Sequence, residues 1–164
     1  GMIQPLDGQG DMGEPPLYRV GCLGRITEFR ETEDGRYLIS LKGIARFDVS
    51  AEPPRDTPFR IVVPNWSHYE GDLTEADPEF DRERLNAALK PFFHRHGIEA
   101  DFEAIAKAPA ERLITSLSML CPFAPREKQA LLEAENWETR GKLLTALIEM
   151  GAVAGSGDAG PARH

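Results

Sequence analysis

Cysteine is scarce in this chain: Cys22 and Cys121 are the only two in 164 residues. Their spacing makes no Cys-x-x-Cys or zinc pattern. A disulfide and a pair of reduced thiols are both open on spacing alone, and the reduced pair suits a cytosolic protein. Positive charge is short as well, with 19 Lys and Arg against 27 Asp and Glu and a formal net charge of −8. Phosphate binding runs on clustered cations, so this balance argues against a general nucleic-acid surface. No apolar run reaches membrane-spanning length, and no charged-then-apolar leader opens the chain. The expectation is a soluble, cytoplasmic protein with no membrane association.

Catalytic patterns are missing too. Ser116 and Ser118 sit among leucines with no nearby His and no strand–turn–helix elbow, which points to helix serines bonded to the preceding turn. His94 and His96 are spaced i, i+2, which on a helix turns them to different faces and suits a helix end better than a metal. Gly141-Lys142 is followed by Leu inside a helical pattern, so no phosphate loop forms there. No catalytic residue, cofactor site or metal site is therefore assigned. A hydrolase would need convergent polar groups in one cleft, and the sequence offers none.

What the chain does contain is a change of period. Residues 1–16 have Gly and Pro at loop density, with Met2-Ile3 as a brief strand. From Tyr18 to Glu70 the pattern is β. Gly21 and Gly24 mark a bulge or bend, and Asp34-Gly35 supplies a two-residue hairpin turn. On the return strand Tyr37, Ile39 and Leu41 form the apolar, core-facing row. Residues 59–70 read as a further strand, placed at an edge because Pro64 cannot donate to a ladder. Gly-punctuated bends between curled strands suggest a small barrel.

After Gly71 the period is helical. Asp77-Pro78-Glu79 reads as a helix start, and Pro91 as a kink or stop before Gly97. Asp101, Pro109, Pro125 and Asn136 open four more helices. Leu113, Ile114, Leu117 and Leu120 form the apolar stripe of one. Leu143, Leu144, Leu147, Ile148 and Met150 form that of the last. The boundaries expected are a β-barrel subdomain over 1–72, a helical subdomain over 73–151 and a frayed tail over 152–164.

Four stretches carry a resemblance: GMIQP at 1–5, VGCLGRITEFRETEDGRYLISLKGIARFDV at 20–49, FRIVVPN at 59–65 and PAERLITSLSMLCPFAPREKQALLEAENWETRGKLL at 109–144. In this order they resemble the N-terminal, substrate-binding domain of the Lon ATP-dependent protease family. The hairpin ending in Gly43-x-x-Arg46-Phe47, together with the EKQALLE helix, is the specific part. The resemblance implies an α+β fold, a PUA-like small β-barrel followed by a helical bundle. It also implies a bacterial, noncatalytic module that engages substrate proteins, since no ATPase or Ser–Lys protease motif is present. The family domain starts with a further strand and helix ahead of GMIQP. A barrel short of a strand would expose backbone edges and favour pairing with another chain or a second copy of this one.

The expected function is recognition of unfolded or exposed apolar segments of other proteins. Trp66, Tyr69, Phe92 and Phe93 are the candidate contacts, at the barrel's open edge and the β/α junction. Closure of the core by the same four residues is the competing reading. The alternative function is an RNA-binding barrel of PUA type. Arg19, Arg25, Arg30, Arg36, Lys42 and Arg46 are interleaved with Glu28, Glu31, Glu33 and Asp34, a mixed field that disfavours it.

Overall fold

The computed structural model describes residues 1–6, 14–74 and 78–153. They divide into two units, Gly1–Glu75 and Ala76–His164. The first is a β unit and the second is helical, so the fold is α+β.

In the β unit, β1 (Val20–Glu31) and β2 (Tyr37–Ala51) form a long antiparallel hairpin, and β3 (Val63–Asn65) pairs with the far end of β2. β3 lies at the sheet edge, as Pro64 requires, but it is only three residues long and not the strand expected over 59–70. Met2-Ile3 contributes a single bridge rather than a strand: Met2 and Cys22 exchange both backbone hydrogen bonds, at 2.8 and 2.9 Å. Gly21 permits this approach. A Cβ there would stand 2.7 Å from Ile3 Cγ1 and 2.8 Å from Phe47 Cζ.

The hairpin turn differs from the two-residue form expected. The Gly35 N–H donates to the Thr32 carbonyl and the Thr32 N–H to the Arg36 carbonyl, enclosing a three-residue loop, Glu33 to Gly35. Only Gly35 has a positive φ, 78°. One left-handed residue suffices for this turn, where a two-residue type I′ turn needs two. The Asp34 carboxylate holds the loop by accepting from Thr32 and from the Arg36 guanidinium. That pairing keeps its carboxyl below the usual carboxylate range.

Two register shifts shape the hairpin. At Leu23/Gly24 the extra residue is Ile44 on β2, and Gly24 faces Gly43; at Ile26/Glu28 the extra residue is Thr27 on β1. The first shift divides the hairpin. Below it Val20, Gly21, Ala45, Arg46 and Phe47 are buried; above it every residue from Arg25 to Glu31 and from Tyr37 to Gly43 is exposed. Tyr37, Ile39 and Leu41 therefore do not face a core, contrary to the period-2 reading.

In the helical unit, α1 spans Arg82–His96, α2 Phe102–Lys107, α3 Ala110–Leu120, α4 Pro125–Glu133 and α5 Trp137–Val153. Helix α1 starts at Asp81, whose carboxylate accepts from the Arg84 N–H at 2.9 Å, four residues beyond the expected start. Asp77 lies outside the described residues, as do residues 7–13 and 154–164; of the stretch expected as a frayed tail over 152–164, residues 152 and 153 belong to α5. Pro91 neither ends nor interrupts α1, which runs on to His96. The carbonyl that Pro91 leaves without a helical donor belongs to Ala87, and both residues are exposed, so water can serve it. Gly97, at φ 63°, closes the helix, with Ile98 N–H donating to Phe93 C=O at 2.9 Å.

Asp101 and Asn136 cap α2 and α5, and Pro125 opens α4, at the expected positions. The core is a cluster of Leu85, Leu89, Phe92, Phe93, Leu113, Ile114, Leu117, Cys121, Leu131, Leu144 and Ile148 with Ala88. Of the other expected members, Leu143 and Leu147 are partly buried and pack against it, while Leu120 at 76% exposed and Met150 at 65% stand outside it. On α5 the buried row is Gly141, Leu144, Thr145 and Ile148, a 3–4 spacing that turns Met150 away.

Candidate protein-contact surface

The exposed arm of the hairpin has two unlike faces. Directly opposed residues share a face, so Ile26 with Leu41, Phe29 with Ile39 and Tyr37 beside Glu31 make one row. The Phe29 and Tyr37 rings stack diagonally across it, 5.1 Å between centroids and 25° apart. Arg25 with Lys42, Glu28 with Ser40 and Arg30 with Leu38 make the other face, where Ser40 donates to Glu28 at 2.8 Å. The apolar row stays open to solvent, with Phe29 64% and Tyr37 56% exposed. The sequence carried these residues as an alternation, but alternation says only that one face is apolar. It does not say whether the chain itself covers that face.

Of the four contact residues expected from sequence, two lie in each unit. Trp66 is 39% exposed and tilts against Phe47 at 5.4 Å. It borders a cleft of about 350 Å³ that Ile3, Leu17, Leu23, Val62 and Pro64 also line. Tyr69 is buried beneath the Arg46 guanidinium, which sits 4.4 Å from its ring centroid. Phe92 and Phe93 are buried in the helical core, tilted against each other at 6.1 Å. Three of the four thus carry packing, and Trp66 alone presents substantial open surface.

The polar groups near these residues serve structure. Arg46 clasps Asp72 through Nη2 to Oδ1 at 2.7 Å and Nε to Oδ2 at 2.9 Å, while its backbone N–H also donates to Asp72 at 2.9 Å. His68 meets Asp48 at 2.6 Å. Ser118 donates to the Ile114 carbonyl one turn back, as expected of a helix serine. Cys22 and Cys121 stand as thiols in separate units. Burial pushes the Cys121 thiol up to about 11, which makes it a poor nucleophile. Among the described residues no three His, Cys, Asp or Glu side chains gather as metal ligands. No helix among them is long and apolar enough to cross a membrane.

No curated protein sequence matches the chain. A solved structure, the Lon N-terminal domain protein from Xanthomonas campestris, is similar in fold with a TM-score of 0.54 at 22% identity. The match covers 82% of this chain and 70% of that one. The family model for the ATP-dependent protease La (LON) substrate-binding domain matches residues 4–150. With nearly the whole chain matched, and a β unit followed by a helical unit, this protein belongs to the LON substrate-binding domain family.

Proposed function

We propose that this chain is a noncatalytic module that binds other polypeptides through apolar segments those polypeptides expose. The observation that carries the reading is the open apolar row of Ile26, Phe29, Tyr37, Ile39 and Leu41 on the hairpin arm. A soluble domain rarely leaves a contiguous apolar patch of several hundred Å² uncovered unless the patch binds something. Aromatic anchors such as Phe29 and Tyr37 supply large contact area at small cost in side-chain entropy. Family membership supports the same role. Trp66 belongs to the proposed surface as a second contact beside its cleft, while Tyr69, Phe92 and Phe93 act by holding the two cores. The β unit is read as a small PUA-like barrel, and the setting as the bacterial cytoplasm.

Fluorescence anisotropy with a reduced, carboxymethylated protein as permanently unfolded probe tests the reading. The double variant F29S/Y37S weakens binding about tenfold or more, the scale of losing two aromatic anchors. Both side chains are exposed, so its melting temperature stays close to that of the parent. Equal binding by parent and variant would remove the hairpin from the proposal.

A further inference from the structure

We infer that the partner adds to this protein as an extra β-strand along the outer edge of β2, from Tyr37 to Lys42. The inference rests on the proposed polypeptide-binding role and specifies its mode and substrate class.

The backbone supplies the first step. Thr32 N–H donates to the Arg36 carbonyl at 2.8 Å, which makes 32 and 36 a hydrogen-bonded pair. Hydrogen-bonded and non-bonded pairs alternate in an antiparallel ladder. Arg30 with Leu38 and Glu28 with Ser40 are then bonded pairs, while Glu31 with Tyr37 and Phe29 with Ile39 are not. The N–H and C=O groups of Tyr37 and Ile39 consequently point away from β1. On that side β3 reaches only Asp48 to Ala51, so no strand among the described residues covers 37–42. The residues that offer backbone groups outward are the same ones whose side chains build the apolar row.

The two edges of the arm are not equivalent. β1 carries the extra residue Thr27, and a bulge blunts an edge as a template for pairing. β2 itself carries no extra residue from Tyr37 to Lys42, no proline, and Lys42 as its single charge. Edges of this kind are normally defended, and this one has little defence.

A second copy of the chain fits poorly there. Stacking the row on itself about Ile39 sets Arg36 opposite Lys42 at both ends, and directly opposed like charges destabilise a strand pair. The apolar row is also only five side chains, each partly covered by its own strands, which is small beside the roughly 20–30 residues a side of a standard stable interface. The occupant that fits is an extended segment of another polypeptide. It has apolar residues at every second position and an acidic residue at the Lys42 end. Backbone pairing then supplies affinity, and the alternate side chains supply selectivity.

The test uses the full chain and a fluorescent peptide alternating Val with Ser and ending in Asp. A second peptide of the same sequence is N-methylated at every residue of one face, a third likewise on the other. Two variants accompany them. Ile39→Pro removes one outward N–H without touching a β1–β2 hydrogen bond, and Ile39→Val keeps that N–H. The expected result is binding of the parent peptide, loss of about tenfold or more for one N-methylated peptide and for Ile39→Pro, and near-parent binding by Ile39→Val.

If both N-methylated peptides bind like the parent peptide, strand addition is overturned. Binding of unfolded protein but not of the alternating peptide overturns it as well, while leaving the apolar row in place. Loss of neither after F29S/Y37S removes the underlying reading instead. Concentration-dependent dimerisation abolished by Ile39→Pro would assign the edge to a second copy and overturn the proposal.

Discussion

Arg46 is the one buried charged side chain among the described residues. Its side chain is 7% exposed, its partner Asp72 is 13% exposed, and the Tyr69 ring lies beneath its guanidinium. A buried charge pair adds little beyond an apolar pair of similar shape, but removing one partner strands the other. Arg46→Met accordingly costs about 3 kcal/mol in urea denaturation, because the mostly enclosed Asp72 carboxylate loses the guanidinium that balances its charge. Adding Asp72→Asn to that variant returns part of the loss, since the neutral amide oxygen still accepts from the Arg46 backbone N–H. A double variant less stable than Arg46→Met alone would show that the stranded charge is not the cause. Sequence reading marked Gly43-x-x-Arg46-Phe47 as a signature and stopped there. Its physical basis needs Asp72, 26 residues further on, and nothing local to Arg46 announces that partner.

Among the elements, helix ends were the most legible. Asp101 and Asn136 accept from N–H groups two or three residues on, and Pro125 stands in the first turn of α4, so local chemistry decides them. The edge placement of β3 followed from Pro64 for the same reason. Burial inferred from pattern held for Leu113, Ile114, Leu117, Leu144 and Ile148 but misled on β2. Tyr37, Ile39 and Leu41 alternate as a half-buried strand would, and the candidate surface was hidden inside that correct observation. Pro91 shows tertiary packing overriding a local breaker: Leu89, Phe92 and Phe93 on its own helix are all buried and hold the turn together. An interior proline costs a helix on the order of 3 kcal/mol, and here nothing buried requires it. Pro91→Ala restores the hydrogen bond to the Ala87 carbonyl at an exposed site. It raises stability by about 1–3 kcal/mol, visible as a higher thermal midpoint. An unchanged or lower midpoint would mean that the ring makes a contact worth more than the helix bond.

At the scale of the whole molecule, the division of the core decides what can stand alone. Every residue of the main apolar cluster, from Leu85 to Ile148, lies on the helical side of Ala76. The capping groups of that unit are internal to it as well: Asp81 serves α1, Asp101 α2 and Asn136 α5. Arg84 reaches across the unit to Glu149 in a two-bond pair at 2.7 and 2.8 Å, and Arg82 donates to the Ala108 carbonyl at 2.8 Å. Gly151 completes the α1–α5 packing, since a Cβ there would come within 2.5 Å of the Phe92 ring. A unit that holds its own core, caps and cross-links meets the physical requirement for independent folding. A fragment of residues 76–153 therefore gives a helical circular-dichroism spectrum and a single cooperative urea transition. Gly151→Val lowers that transition by about 1–3 kcal/mol in the fragment and in the full chain alike, because the overpacked contact is internal to the unit. A fragment without a cooperative transition would mean that the helical core depends on the β unit. The two halves would then have to be treated as one folding unit.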